Sequence, residues 1–424
     1  MKAIKLRDIT VQITDGKHGD CKNENSSGYY FVSCKDVFDG SIHYEQSRQI
    51  TKDDCDSVRK RVALEPGDTV ITNSGTIGRM AFATDKPETY NTAFQKSVAV
   101  VKPNKDLVEP KYLYYLLLSC VADMARNSNG SAQKNLLLSA MREYELSFHE
   151  SKDSQRRLVN ILTTYDNLIE NNRRQIALLE EAAQRLYKEW FIDLRFPGHE
   201  DVKIVDGVPE GWHRIYLKEC ITIMSGGTPK TSNPANYDGD IPFFTPGDCT
   251  SSIWAFDTNK HISEQGLNNC NSKLFPEGTT ILTARGTVGN TVLLGTPMAM
   301  NQSCFALKFS ALNYQYFLYY TICGKVAELK ARATGGVFDT IVLQSFDSLL
   351  VVIPNEQLIR DFESIASSFL KDSYTLGKQI VQLIKARDRL LPKLISSEID
   401  VSNFADAVCK IQANNAVIVA QLSE

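Results

Sequence analysis

The strongest constraint on this chain is that one stretch of it occurs twice. Residues 64–78 read LEPGDTVITNSGTIG and residues 275–289 read FPEGTTILTARGTVG. Six of these fifteen aligned positions are identical: Gly67/Gly278, Thr69/Thr280, Thr72/Thr283, Gly75/Gly286, Thr76/Thr287 and Gly78/Gly289. Three more exchange one branched aliphatic for another. The likeness extends to Tyr30–Asp36 against Phe243–Asp248, to Gln95–Ala99 against Gln302–Ala306, and to Gly130–Gln133 against Gly335–Phe338. Along these matches the offset drifts from 212 to 205, as loop insertions and deletions would make it. A period near 200 is too long for a solenoid unit, so the chain contains a duplicated domain. Two similar but non-identical domains can hold two similar but different ligand sites.

Each copy is punctuated in the same way. Residues 1–150 contain β-branched and aromatic runs (ITVQIT, YYFVSC, DTVITN, SVAVVKP) separated by Gly, Asn, Asp and Pro, a pattern of short strands joined by polar connections. Lys111–Arg126 reads as a packed helix. Residues 201–353 repeat the strand-rich pattern. Between the copies, no Gly or Pro occurs from Asp153 to Leu194. Core-compatible residues there step by threes and fours through Leu158, Ile161, Tyr165, Leu168, Asn172, Ile176, Leu179, Ala183, Leu186 and Trp190. This spacing predicts a long amphipathic helix of roughly 60 Å, ended by Pro197-Gly198. A second series follows Pro354: Phe362, Ile365, Phe369, Asp372, Leu376, Ile380, Leu383, Arg387, Leu390 and Leu394. Every position equals the first series plus 204, including two consecutive steps of four that shift the seam. The two helices look built to pair with each other. Gly377 costs helicity and is expected to mark a bend. The expected segments are 1–150, 151–200, 201–353, 354–398 and a tail 399–424, whose Phe404, Val408 and Ile411 suggest a short helix.

The bulk numbers exclude several classes. Net charge is -3, with 20 basic and 20 acidic groups in residues 1–150 and 11 and 13 in residues 201–353. Nucleic acid would have to be gripped by a local basic face or together with a basic partner. The opening MKAIKLRDITVQ has no apolar signal core and no run approaches a membrane span, so a cytoplasmic protein is expected. Ten cysteines lie without a CxxC pair and without clustered histidines, which points to free thiols and no metal site.

Catalytic signatures are missing. There is no GxxxxGK, HExxH or GxSxG motif. Asn233–Tyr237 is superficially similar to the Asn-Pro-Pro-Tyr motif of amino-methyltransferases but lacks its second proline and a cofactor loop. Carboxylate pairs such as Asp53/Asp54 and Glu180/Glu181 read as solvated faces. Matched polar loops remain. Thr14–Asp20, with Lys17 and His18, corresponds to Ser225–Thr231, with Thr228 and Lys230; Asn73-Ser74-Gly75-Thr76 corresponds to Ala284-Arg285-Gly286-Thr287. Lys35, Lys96 and Lys134 lie in or beside the other matched segments. Small residues let backbone approach a ligand, while Lys, Arg, Asn, Ser and Thr offer donors to phosphates and base edges. The bland alternative for the shared glycines is a tight hairpin with no ligand. Arg59-Lys60-Arg61 is a further phosphate candidate, although a charge run is usually a solvated face.

The whole resembles the specificity (S) subunits of type I restriction-modification systems. The likeness is carried by the junction Lys188-Glu-Trp-Phe191, Arg195-Phe-Pro-Gly198 and Val208-Pro-Glu-Gly-Trp212, by GGTPKT…IPFFTPGD in 226–248, and by the paired SGTIG and RGTVG loops. The resemblance implies an α+β fold with two β-rich target-recognition domains separated by two long antiparallel helices. It implies a non-catalytic reader of double-stranded DNA, each domain taking half of a bipartite target and the helix pair fixing the gap. The chain itself would need no cofactor. Two methyltransferase subunits would supply S-adenosylmethionine chemistry at adenine N6, and two motor-nuclease subunits would use ATP and Mg. A competing reading is a coiled-coil scaffold whose β-rich domains bind protein or glycan.

Overall fold

A computed structural model describes residues 1–126, 135–250, 252–310, 314–331 and 340–399. The expected match between residues 130–133 and 335–338, the candidate Lys134 and the tail helix at Phe404–Ile411 lie outside the described residues. The chain divides into two compact units, one formed by residues 1–167 with the segment from 385 onward, the other by residues 168–384.

In the first unit a four-stranded antiparallel sheet has the order Thr10–Asp15, Val98–Pro103, Thr69–Thr72, Met80–Phe82. A smaller sheet places Tyr30–Val32 between Arg48–Gln49 and a parallel neighbour, Thr92–Phe94. Lys2–Lys5 pairs with Glu145–Phe148, and the helix Pro110–Arg126 covers the larger sheet through Tyr112, Leu113, Leu116 and Leu117. Burial of these side chains is the main favourable term in such a layer.

The second unit repeats this plan. Its larger sheet has the order Ile221–Ser225, Cys304–Phe309, Thr280–Thr283, Thr291–Leu294, and its smaller one places Ile241–Phe244 between His261–Ile262 and the parallel Ala299–Met300. His213–Tyr216 pairs with Leu350–Ile353, and Gln315–Ala331 is the covering helix. The larger sheet gains a fifth strand, Trp254–Ala255, parallel to Thr291–Leu294. The first unit keeps only a vestige of that strand, an isolated bridge from Gly40 to Ala81.

The two long helices are Lys152–Tyr187, continued by one π-helical turn Lys188–Ile192, and Glu356–Ile395. In the first unit Leu158 and Leu162 share a core with Leu391, Leu394 and Ile395, and Asp166 meets Arg387. In the second, Asn172 bonds Gln379, Glu180 bonds Ser373, and Trp190 packs edge-on to Phe362. Rising numbers on one helix meet falling numbers on the other, so the pair is antiparallel. The offset of 204 holds, but the buried seam differs from the predicted one. Leu162, Ile169 and Glu180 are buried where Ile161, Leu168 and Leu179 were expected; Ala366, Leu370, Ser373, Gly377 and Leu391 are buried where Ile365, Phe369, Asp372, Leu376 and Leu390 were expected. Leu168 and Ile365 are exposed instead. The buried steps run four, four, three, close to the 3.6 period of a straight helix, whereas the predicted series followed an apolar flank beside the seam.

Gly377, where the sequence suggested a bend, lies inside the single helix Glu356–Ile395 and makes a close contact. A Cβ there would stand 2.2 Å from Phe256 Cε2, so only glycine lets this ring lie on the helix backbone. Glu180 also departs from its expected solvated face. It is buried and accepts from Ser252 Oγ at 2.8 Å, Ser373 Oγ at 3.0 Å and the Ile253 amide at 3.2 Å. Burial pushes its carboxyl above the usual range, against these hydrogen bonds. Among the described residues, no helix is long and apolar enough to cross a membrane.

Candidate nucleic-acid interface

The duplicated motif builds one loop geometry twice. Thr72 ends a strand, and its buried Oγ1 bonds the Thr76 carbonyl and accepts from the Arg79 amide at 2.9 Å. Thr283 does the same with the Thr287 carbonyl and with the Asn290 amide at 3.0 Å. Gly75 and Gly286, at φ of 76° and 80°, turn the chain through the left-handed region that favours glycine. The shared Thr and Gly residues therefore close a hairpin.

A buried aspartate builds the neighbouring turn. Asp36 Oδ2 accepts from the Ser33 amide at 2.7 Å and from Ser33 Oγ at 2.9 Å. Asp248 Oδ2 accepts from the Thr245 amide at 2.8 Å and from Thr245 Oγ1 at 2.6 Å. Both are capping boxes on a single 3₁₀ turn, satisfying amides that would otherwise be orphaned.

Backbone bonds then draw the loops of each unit onto one rim. In the first unit the Asn73 amide donates to the Ser97 carbonyl at 3.0 Å, Gln95 to Val32 at 2.9 Å, and Lys17 to Phe94 at 2.8 Å. In the second, Ala284 donates to Ser303 at 2.7 Å, Asn301 to Phe244 at 3.0 Å, and Gly227 to Met300 at 3.0 Å. Leu136 and Ile341, also matched, close on the carbonyls of Asn73 and Ala284. Each unit thus gathers four sequence-distant loops, 14–18, 33–36, 73–76 and 95–97 in one, and 226–230, 245–248, 284–287 and 301–303 in the other.

The predicted side chains occupy these rims unequally. Lys35, Lys96, Lys230 and Arg285 are exposed and their side chains bond no described residue, which leaves them available to an anion. Ser74 is half-buried and Thr76 exposed. Thr287 is exposed while its Oγ1 donates to the Pro246 carbonyl at 2.9 Å, and Thr228 Oγ1 donates to Gln302 Oε1. Lys17 is tied down, with Nζ 3.6 Å from both Asp54 Oδ1 and Cys21 Sγ. His18 is exposed beside Asp15 at 3.6 Å. Asn73 is buried, and its Oδ1 meets no hydrogen-bond donor among the described residues.

Two groups escaped the sequence reading. Asp54, which reads in the sequence as part of a solvated face, accepts from the Lys22 amide at 2.7 Å, and this bond holds its carboxyl below the usual range. Arg48 is the post of the loop after Lys17, bonding Asp20, Asn23 and the Cys21 carbonyl and lying over Phe31. No short-range pattern links Arg48 to those residues. In the basic run, Arg59 donates to the Thr89 and Thr92 carbonyls and Arg61 pairs with Asp15 at 2.6 Å; of the three, only Lys60 projects with no side-chain bond to a described residue. No group of three metal-ligating side chains occurs among the described residues.

The comparisons with known proteins follow the same repeat. The type I restriction modification DNA specificity domain matches residues 7–181 and 209–386, one match per copy of the repeat. The MjaIX type I restriction enzyme specificity subunit of Methanocaldococcus jannaschii is 26% identical over 353 residues, covering 79% of this chain and 78% of its own. The HindI specificity subunit of Haemophilus influenzae is 24% identical over 392 residues, covering 76% and 84%. Among solved structures, the S subunit of a type I restriction-modification system from M. genitalium aligns over 93% of this chain and 95% of its own, at 17% identity and a TM-score of 0.49. With most of its length matched in two consecutive copies, the chain belongs to the type I restriction-modification DNA specificity family.

Proposed function

We propose that this protein reads a bipartite DNA target, one half per unit, and that its helix pair sets the gap between the halves. The observation that carries this is a rim built twice from the same internal bonds with different groups projecting. Arg285 stands where the first copy has Ser74, and the strand register sets Lys17-His18 of the first copy against Gly227-Thr228 of the second, with Lys230 exposed two residues on. Arg285 suits a guanine edge, to which its guanidinium can donate two hydrogen bonds; Lys35, Lys96 and Lys230 suit phosphates. A near-neutral chain with few free cations on each rim would grip DNA together with partners.

Those partners are two methyltransferase subunits, docked along the helices and modifying adenine N6 with S-adenosylmethionine, and two motor-nuclease subunits using ATP and Mg. The specificity subunit would carry no catalytic group or cofactor and work in the cytoplasm. Mapping host methylation after co-expression with the cognate methyltransferase tests the reading. Two specified halves with a constant gap are expected; a single continuous motif would reject it. A four-residue insertion at Asn172 should lengthen the gap.

A further inference from the structure

Within the second unit, the β-rich domain is fastened to helix stretches 168–187 and 356–384 by a device that the repeat does not duplicate. One strand-and-turn segment, Ser252–Phe256, makes both of its contacts. At one end Glu180 of the first long helix accepts from Ser252 Oγ and the Ile253 amide, while Ser373 of the second helix donates to the same carboxylate. At the other end the Phe256 ring lies between two glycines. Cβ atoms on Gly377 and Gly295 would stand 2.2 Å from its Cε2 and 2.5 Å from its Cδ1. A shift of the segment along the helices therefore breaks buried hydrogen bonds at one end and drives the ring off its seat at the other.

The matching positions cannot make this device. At the offset of 204, Glu180 corresponds to Ile384, Ser373 to Ile169 and Gly377 to Arg173; along the sheet, Gly295 corresponds to Thr84. The acceptor is replaced by a hydrocarbon, and both glycine seats are filled by side chains.

We infer that Glu180 and Gly377 form a two-point key that fixes where the second recognition domain sits on the helix pair, and thereby fixes the gap in the DNA target. They are positioning residues that touch no base. The inference rests on the ruler reading above, because a key affects the gap only if the helices set it.

The test compares methylation maps for the full chain with its methyltransferase subunit, as wild type, Gly377→Ala, Phe256→Ala/Gly377→Ala, Glu180→Gln and Glu180→Leu. In Gly377→Ala both half-site sequences persist. The ratio of modification at the native gap to that at gaps one base pair longer or shorter falls by about tenfold or more, as expected for an ångström-scale misplacement. Removing the ring as well relieves the clash but leaves only the Glu180 point, so the ratio recovers partway, by about threefold, and stays below wild type. Glu180→Gln keeps the ratio because the amide oxygen still accepts, whereas Glu180→Leu lowers it. An unchanged ratio in Gly377→Ala overturns the key, and so does a loss equal at all gaps that the double variant fails to recover. The insertion at Asn172 separates the two claims: an unchanged gap there rejects the ruler itself, whatever Gly377→Ala does.

Discussion

The two units share their outer loops almost bond for bond and differ where they meet the helices. In the first unit the helix contact is ionic. Asp166 receives Tyr115 Oη at 2.5 Å and Arg387 Nη1 at 2.9 Å, with Lys111 Nζ at 3.6 Å. Lys111 also lies over the rings of Phe82, Tyr114 and Tyr115. In the second unit the positions matching Asp166 and Arg387 are Leu370 and Ala183, both fully buried in the core with Tyr320, which matches Tyr115. The polar contact has moved to Glu180, whose own match is Ile384. Equal loops need equal bonds because one hairpin and one capping turn serve both. The helix contacts diverge because hydrocarbon or a satisfied ion pair can each fill a seam.

Substituting one unit's chemistry into the other should give the largest effect. Leu370→Asp puts a carboxylate where Asp166 is native but no cation faces it, and should cost the second unit about 4 kcal/mol in urea unfolding. A loss below about 1 kcal/mol would mean that the seam is wet, because water would then solvate the charge. Arg387→Ala is milder, about 2 kcal/mol in the first unit, because Lys111 and Tyr115 still face Asp166.

Acidity separates the units further. Burial pushes the Glu363 carboxyl up to about 7, although the Phe317 amide donates to it at 2.7 Å. A folded-state value above the unfolded one gives stability that is full below about pH 4.3 and is lost as pH rises through 7. The first unit has Val159 there. Glu363→Gln should therefore flatten the second unit's stability between pH 4 and 8 by on the order of 2 kcal/mol, and leave the first unit's profile alone. An unaltered profile in the variant would show that Glu363 is not the titrating group.

The loop scaffold predicts equality instead. Thr72→Val and Thr283→Val remove the same buried hydroxyl bonds, and each should cost about 1–2 kcal/mol. Costs that differ by more than about 1 kcal/mol, beyond ordinary site-to-site scatter, would contradict a common scaffold.

Much of this was legible in the sequence, for identifiable reasons. Identical Gly and Thr residues reported the hairpins because a left-handed turn and a buried hydroxyl tolerate few substitutes. The offset of 204 survived because both helices keep one register. The seam was misplaced by one residue at Leu162, Ile169 and Glu180, since leucine and isoleucine on the flank have the same spacing as the core. Glu180, Arg48 and Gly377 were opaque because their partners, Ser252, Asp20 and Phe256, are set by tertiary contact alone.

The measurement closest to the central claim is a methylation map for Arg285→Ser, which gives the second rim the first rim's residue on an unchanged scaffold. The account predicts that one specified base in one half of the target becomes relaxed, by about 1–3 kcal/mol of discrimination, with the other half and the gap unaltered. Relaxation in both halves, or in neither, would contradict it.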